Sequence, residues 1–164
     1  WYQALEAAKA GATYVSLFAN RMLDCYLLEL GGGKLESILT GSDWKGIVAQ
    51  AKADPAKLKE AWHNTLGTIS YVASQLEGTR TELIVGSIRS PDDIYLLGEA
   101  SPQIITIPYK IALALHDVPQ LKRHPRTYPR VQLPVVESLR HPMTDYTLEE
   151  FERAADSYRK PTPA

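Results

Sequence analysis

Two arginines close two apolar runs of the same form. Thr13-Tyr14-Val15-Ser16-Leu17-Phe18-Ala19-Asn20-Arg21 ends on one, and Glu82-Leu83-Ile84-Val85-Gly86-Ser87-Ile88-Arg89 ends on the other. A guanidinium offers a fork of donors that matches the oxygens of a phosphate. Two such ends side by side, with the hydroxyls of Ser16 and Ser87 and the N–H groups of a helix starting after Ser90, suit a phosphate monoester. The competing reading pairs each arginine with a nearby carboxylate, Asp24, Asp92 or Asp93, and spacing alone leaves both readings open.

Other chemistries find less support. His63, His116, His124 and His141 show no short ligand spacing and no cysteine cluster, so no metal site is expected. There is no Gly-x-Ser-x-Gly elbow, and Cys25 has no partnered base in the sequence. The Gly31-Gly32-Gly33 triplet lacks the Gly-Lys-Ser/Thr ending of a P-loop and reads as a turn. A lysine that forms a Schiff base is usually desolvated, often on an apolar strand. No lysine interrupts such a run here; Lys110 comes nearest and reads as a surface residue at a helix start.

The elements that must hold the arginines alternate between the two periods of secondary structure. An Ala-rich helix ends at Gly11, and Thr13 to Phe18 reads as a strand. The apolar run Met22 to Leu30 folds back on the body, and residues 34–54 are weakly helical, with Ser42-Asp43 capping Trp44 to Lys52. From Pro55 to about Gly78, Leu58, Trp62, Leu66, Ile69, Ala73 and Leu76 form one apolar stripe, with His63 off it and solvated. Leu83 to Ile88 is the second strand. Ser90-Pro91-Asp92-Asp93 is a capping box with proline at the first helical position, and its helix runs to about Glu99. Ile104 to Pro108 gives a third short strand and Lys110 to Leu115 a short helix. Strands alternating with helices predict parallel strands with crossover connections.

Pro119 to Pro134 is a proline-rich surface loop carrying Lys122, Arg123, Arg126 and Arg130, a basic cluster that reads as solvated. Thr147-Leu148-Glu149-Glu150 is a capping box for a last helix, whose face of Leu148, Phe151, Ala155 and Tyr158 should dock on the body.

Composition sets outer limits. The chain has 164 residues, 45% hydrophobic and 23% charged, which fits a single globular domain, residues 1–164. A formal net charge of -1 gives no global reason to expect nucleic acid or an anionic membrane as partner. No apolar run approaches the roughly 20 residues of a membrane span. The lone Cys25 excludes an intrachain disulfide, and a cytoplasmic setting is expected. The chain opens on Trp1 and runs into a helix with no cap before it, as a fragment or processed chain would.

Glu6 to Arg21, with alanine-glycine before the strand and Ser16, Phe18 and Arg21 at its end, resembles the sixth-strand motif of the transaldolase family. Thr81 to Arg89 resembles the seventh strand, and Ile104-Thr106-Ile107-Pro108 the eighth. His141-Pro142-Met143-Thr144-Asp145, with the helix of Leu148 to Phe151, resembles the C-terminal segment. The likenesses occur in family order. The resemblance implies a (β/α)8 TIM barrel, of which this chain supplies about the last three strands and their helices. It also implies transfer of a dihydroxyacetone unit between sugar phosphates through a lysine Schiff base, with no metal or organic cofactor. Arg21 and Arg89, with Ser87, match the family's phosphate-binding positions, and Ser16, Phe18 and Asn20 fall in the substrate pocket. Phe18 stands where the transferases carry phenylalanine and fructose-6-phosphate aldolase a tyrosine, which favours a transferase.

The departures from the pattern are Leu17 in place of a proline, and two segments, 34–57 and 119–134, that look like insertions. The family's nucleophilic lysine, its acid/base carboxylate and its water-placing threonine lie on strands that would precede Trp1. The expectation is therefore a binding half-site whose partner is the missing N-terminal half of the barrel or a second copy. A barrel of this class needs about 250 residues. The alternative is a non-catalytic module that keeps the scaffold and binds a sugar phosphate or a partner.

Overall fold

A computed structural model of the chain describes residues 1–115 and 139–159. Helix α1 (Tyr2–Lys9) leads to strand β1 (Tyr14–Phe18), which runs without a loop into α2 (Ala19–Leu30). Three helices follow, α3 (Ser37–Thr40), α4 (Trp44–Lys52) and α5 (Pro55–Gln75). Then come β2 (Glu82–Gly86), α6 (Pro91–Ala100), β3 (Ile104–Ile105), α7 (Tyr109–Ala114) and α8 (Pro142–Arg159). The strands form one parallel sheet in the order β1-β2-β3, with Tyr14 opposite Glu82, Phe18 opposite Gly86 and Ile84 opposite Ile104. The predicted alternation holds, although β3 is only two residues long.

The helix starts obey local chemistry. Asp54 caps α5 by accepting from the N–H groups of Ala56 and Lys57, and Asp43 caps α4 by accepting from Gly46. Ser90 and Asp93 close the predicted capping box around Pro91.

Two apolar layers result. The first packs Val15, Leu17, Leu83 and Val85, on one face of the sheet, against α1, α5 and α6. The second lies between α2, α4 and α5 and includes Leu23, Leu27, Leu28, Trp44 and Met143. Helix α5 serves both, and the stripe read from its sequence is its packed face. Leu58 and Ala61, near its start, join the second layer and Ile69, Val72 and Ala73, further along the same side, join the first, so one face of the helix passes from one layer to the other. His63 is exposed, as its place off the stripe predicts. The segment 34–57 folds as α3 and α4 and the start of α5, with Ile38, Trp44 and Val48 in the second layer.

The other face of the sheet is open. Tyr14 is 55% exposed, Ser16 and Glu82 are exposed, and Ile84 and Ile104 are half-buried. Parallel sheets are ordinarily covered on both faces, because crossover helices and a second layer bury them. Among the described residues, only the helix side is covered.

The last helix departs from expectation. It begins at Pro142, not after Thr147, because His141 and Pro142 already form a start. The ring Nδ1 of His141 accepts the Met143 N–H at 3.2 Å, and proline takes the first helical position. Thr147 therefore lies inside the helix, its hydroxyl donating to the Met143 carbonyl at 2.6 Å. The helix docks through Met143, Tyr146 and Thr147, while Leu148, Phe151 and Ala155 remain exposed. The basic cluster of 119–134, together with His116 and His124, lies outside the described residues, as does the side chain of Tyr158.

Candidate functional site

Parallel strands bring their C-terminal ends to one edge, and here that edge carries Phe18, Gly86 and Thr106. Gly86 lets the edge close. A Cβ at Gly86 would lie 3.0 Å from the Thr106 Oγ1 and 3.4 Å from Phe18 Cδ1, so a side chain there would have to displace one of them.

Because α2 begins directly after β1, Arg21 sits in its first turn and projects over the strand end. Its guanidinium carbon is 5.5 Å from the ring centre of Phe18 and 5.5 Å from that of Phe151, which reaches over from α8. The two rings meet edge to face at 6.1 Å. Arg21 also donates through Nη1 to the Thr147 hydroxyl. Among the described residues it forms no ion pair.

Arg89 is differently placed. It follows β2, and its Nη1 and Nη2 donate to the two oxygens of Asp24 at 2.9 and 2.6 Å, a fork-to-fork ion pair. For Arg89, the carboxylate pairing left open by the sequence is realised. Asp24 is 10% exposed at its side chain and Arg89 47%, so the guanidinium keeps an outward edge. The hydrogen bonds to Asp24 raise the Arg89 pKa, and the residue stays cationic.

Asn20, expected in the substrate pocket, is instead 2% exposed and tied down. Its amide donates to the Ser87 carbonyl at 2.8 Å and to Asp93 Oδ2 at 2.6 Å, so both its protons are used in joining the end of β1 to the end of β2. Asp93 gathers the second loop as well, accepting from the N–H groups of Arg89 and Ser90 and from the Ser90 hydroxyl. Burial acts to raise the Asp93 pKa, but the hydrogen bonds from Arg89, Ser90 and Asn20 outweigh it and hold the carboxyl below its ordinary value. Ser87 takes φ +63°, a left-handed conformation unusual for serine, and the Asn20 amide on its carbonyl helps to hold it there. No sequence signal beyond the capping box announced this bridge, since Asn20 and Asp93 are 73 residues apart.

Two cavities flank Arg21. The first, about 250 Å³, lies on the open-sheet side and is lined by Ser16, Phe18, Arg21, His141, Thr144 and Phe151 among others. Cys25 also borders it, but burial pushes the thiol pKa far up, so it supplies no thiolate near neutral pH. The second, about 410 Å³, lies on the α4 side and is lined by both Arg21 and Arg89, with Asp24, Lys45, Lys52 and Glu150. Arg21 is the wall between them. Ser16 and Phe18 thus open to one cavity and the two arginines converge on the other; Ser87 and Asn20 line neither. Among the described residues, no cluster of three or more His, Cys, Asp or Glu side chains is placed to hold a metal.

His141 sits at the junction of α8 with the first cavity. Burial lowers its pKa, more than the carboxylate of Asp145 raises it. The unfolded chain therefore takes up this proton first as pH falls, and the contribution of His141 to stability is full above its ordinary pKa of about 6.5 and lost below it. Urea midpoints should fall between pH 7.5 and 5.5, and His141→Asn should flatten that part of the profile. Equal slopes in the two proteins would show that the ring does not carry the effect.

The chain is similar to known proteins over most of its length. The family model for transaldolase/fructose-6-phosphate aldolase matches residues 1–160. A probable transaldolase of Geobacillus thermodenitrificans is 27% identical over 151 residues, covering 91% of this chain and 43% of the relative. One from Clostridium acetobutylicum is 33% identical over 125 residues, covering 76% of this chain and 40% of the relative. Probable transaldolase 2 of Bacillus cereus is 32% identical over 125 residues, covering 76% and 38%. The chain thus spans about two fifths of the length of these relatives. No solved structure matches it.

Proposed function

Since this chain belongs to the transaldolase/fructose-6-phosphate aldolase family, we propose that it works in sugar-phosphate metabolism as the phosphate-binding portion of a (β/α)8 barrel that transfers a dihydroxyacetone unit. The observation that carries the reading is Arg21. It is a cation at the C-terminal end of a parallel strand, without a carboxylate partner among the described residues, standing between an amphipathic cavity and a cationic one. A sugar phosphate has the same two-part character. Its carbon chain, with hydroxyls, fits the first cavity beside Ser16 and Phe18, and its phosphate fits the second beside Arg21 and the outward edge of Arg89. Ser87 holds the loop before Arg89 in shape. Phe18, a ring without a hydroxyl, gives no proton to the reaction, in keeping with a transferase.

The Schiff-base step needs a lysine on the inner wall. None of the three strands carries one, and Lys110 is exposed on α7. We therefore assign to this chain the grip on the substrate and not the nucleophile. In a barrel the open face bearing Tyr14, Ser16 and Ile84 would line the interior, and the remaining strands would pair with the free edges of β1 and β3, contributed by further polypeptide or by a second copy. No helix of the described residues is long and apolar enough to cross a membrane, and the proposed setting is the cytoplasm.

A non-catalytic phosphate-binding module is the second reading, favoured by the same absence of a strand lysine. Borohydride reduction in the presence of fructose 6-phosphate tests the assignment. We expect the chain to bind the ligand and gain no mass; a covalent adduct on one of its own lysines would overturn the claim that it lacks the nucleophile.

A further inference from the structure

The cavity shared by the two arginines holds more positive charge than they supply, and the excess comes from α4. Lys45, Val48, Ala49 and Lys52 all line it, the spacing of three and four that gathers residues on one helix face. The two lysines stand two turns apart, their backbone positions about 10 Å apart along the helix axis, with the short side chains of Val48 and Ala49 between them.

The carboxylates at this cavity are already engaged. Asp24 is held by both terminal nitrogens of Arg89. Glu150 takes Arg153 at 2.6 Å, and Arg153 is not among the residues that line the cavity. Lys45 Nζ lies 5.6 Å from the ring centre of Trp44 and 5.8 Å from that of Tyr146. Such rings steer an ammonium without cancelling its charge. Among the described residues, no carboxylate forms an ion pair with Arg21, Lys45 or Lys52. Arg89 and Asp24 balance one another, and Glu150 shares Arg153 with Glu149, so among the described residues three cations, Arg21, Lys45 and Lys52, face the cavity against one partly neutralised carboxylate.

Resting on the phosphate-binding reading above, we propose that Lys45 and Lys52 complete the phosphate seat, so that a phosphate dianion is neutralised by Arg21 and α4 while Arg89, balanced by Asp24, serves mainly to orient it. The segment 34–57, which departs in sequence from the family pattern, then becomes part of ligand recognition. The seat selects phosphorylated over uncharged sugars through Arg21, with α4 adding to that selection.

Calorimetric titration of the intact chain with fructose 6-phosphate, and separately with inorganic phosphate, tests this. The double variant Lys45→Ala, Lys52→Ala should bind both probes about tenfold more weakly, and with a shallower dependence on sodium chloride. Its circular dichroism should be unchanged, because both side chains are exposed. The double variant Lys45→Arg, Lys52→Arg should stay within about threefold of the parent, since charge is kept. If the alanine variant binds within about twofold of the parent while Arg21→Ala has lost binding, the lysines have no part in the seat and the arginine reading stands. If the parent binds neither probe, the phosphate-binding reading fails, and this proposal with it.

Discussion

Arg21→Ala should weaken the binding of fructose 6-phosphate about 100-fold, the largest effect expected of any single change in the ligand site. Arg89 and Asp24 already satisfy one another, so deleting Arg21 removes a cation that has no carboxylate to leave behind. Its other contacts are the Phe18 and Phe151 rings and the Thr147 hydroxyl. Losing those costs about 1 kcal/mol of stability, too little to unfold the chain. Arg21→Lys should recover only part of the affinity, because an ammonium keeps the charge but not the fork or the stacking on two rings. Calorimetry at fixed ionic strength, alongside urea denaturation of each variant, separates lost binding from lost folding. Affinity within about twofold of the parent would remove Arg21 from the site.

Asp93→Ala should destabilise the chain by about 3 kcal/mol, the largest stability effect expected near the site. Asp93 is 6% exposed, and its carboxylate accepts from the Asn20 amide, the backbone N–H groups of Arg89 and Ser90, and the Ser90 hydroxyl. Removing it strands buried donors at about 1–3 kcal/mol each, partly offset by relaxation and entering water. It also breaks the capping box of α6, worth about 1 kcal/mol. The pH dependence identifies the cause. Since the folded pKa is below the unfolded one, the carboxylate's contribution is present above about pH 3.9 and is lost as pH falls through the folded value. The gap between parent and variant in urea midpoint should therefore be widest near neutrality and close in acid. The variant should also bind sugar phosphate more weakly, because the bridge from Asn20 sets how the two arginine loops face each other. A stability loss under about 0.5 kcal/mol would mean that water replaces the carboxylate without cost.

Much of the frame was legible because it is local. The strand of β-branched and aromatic residues at Thr13 to Phe18, the box at Ser90 to Asp93 and the stop at Gly11 each depend on neighbours a few residues away. The start of α8 was misread for a related reason. Thr147-Leu148-Glu149-Glu150 satisfies the spacing of a capping box, but His141 and Pro142 had already begun the helix, and a helix interior accommodates threonine by returning its hydroxyl to the carbonyl four residues back. Leu148 and Phe151 then lean over the ligand cavity instead of docking on the body. For α5, a periodic stripe identified the helix, but a stripe does not count the layers a helix serves.

By itself, the sequence determined that two apolar runs lead into arginines, that the connections permit a parallel sheet, and that the chain resembles the transaldolase family. It could do so because periodicity, turns and caps are written in short spacings. Only the tertiary structure decided what each arginine meets. Asp24 is three residues from Arg21 and 65 from Arg89, yet it pairs with Arg89, because α2 carries it away from the Phe18 ring and toward the end of β2. Arg21 is left to the aromatic pair and the cavities on either side of it. Partner choice between like-charged groups depends on distances set by packing across the two apolar layers, and no spacing along the chain encodes them.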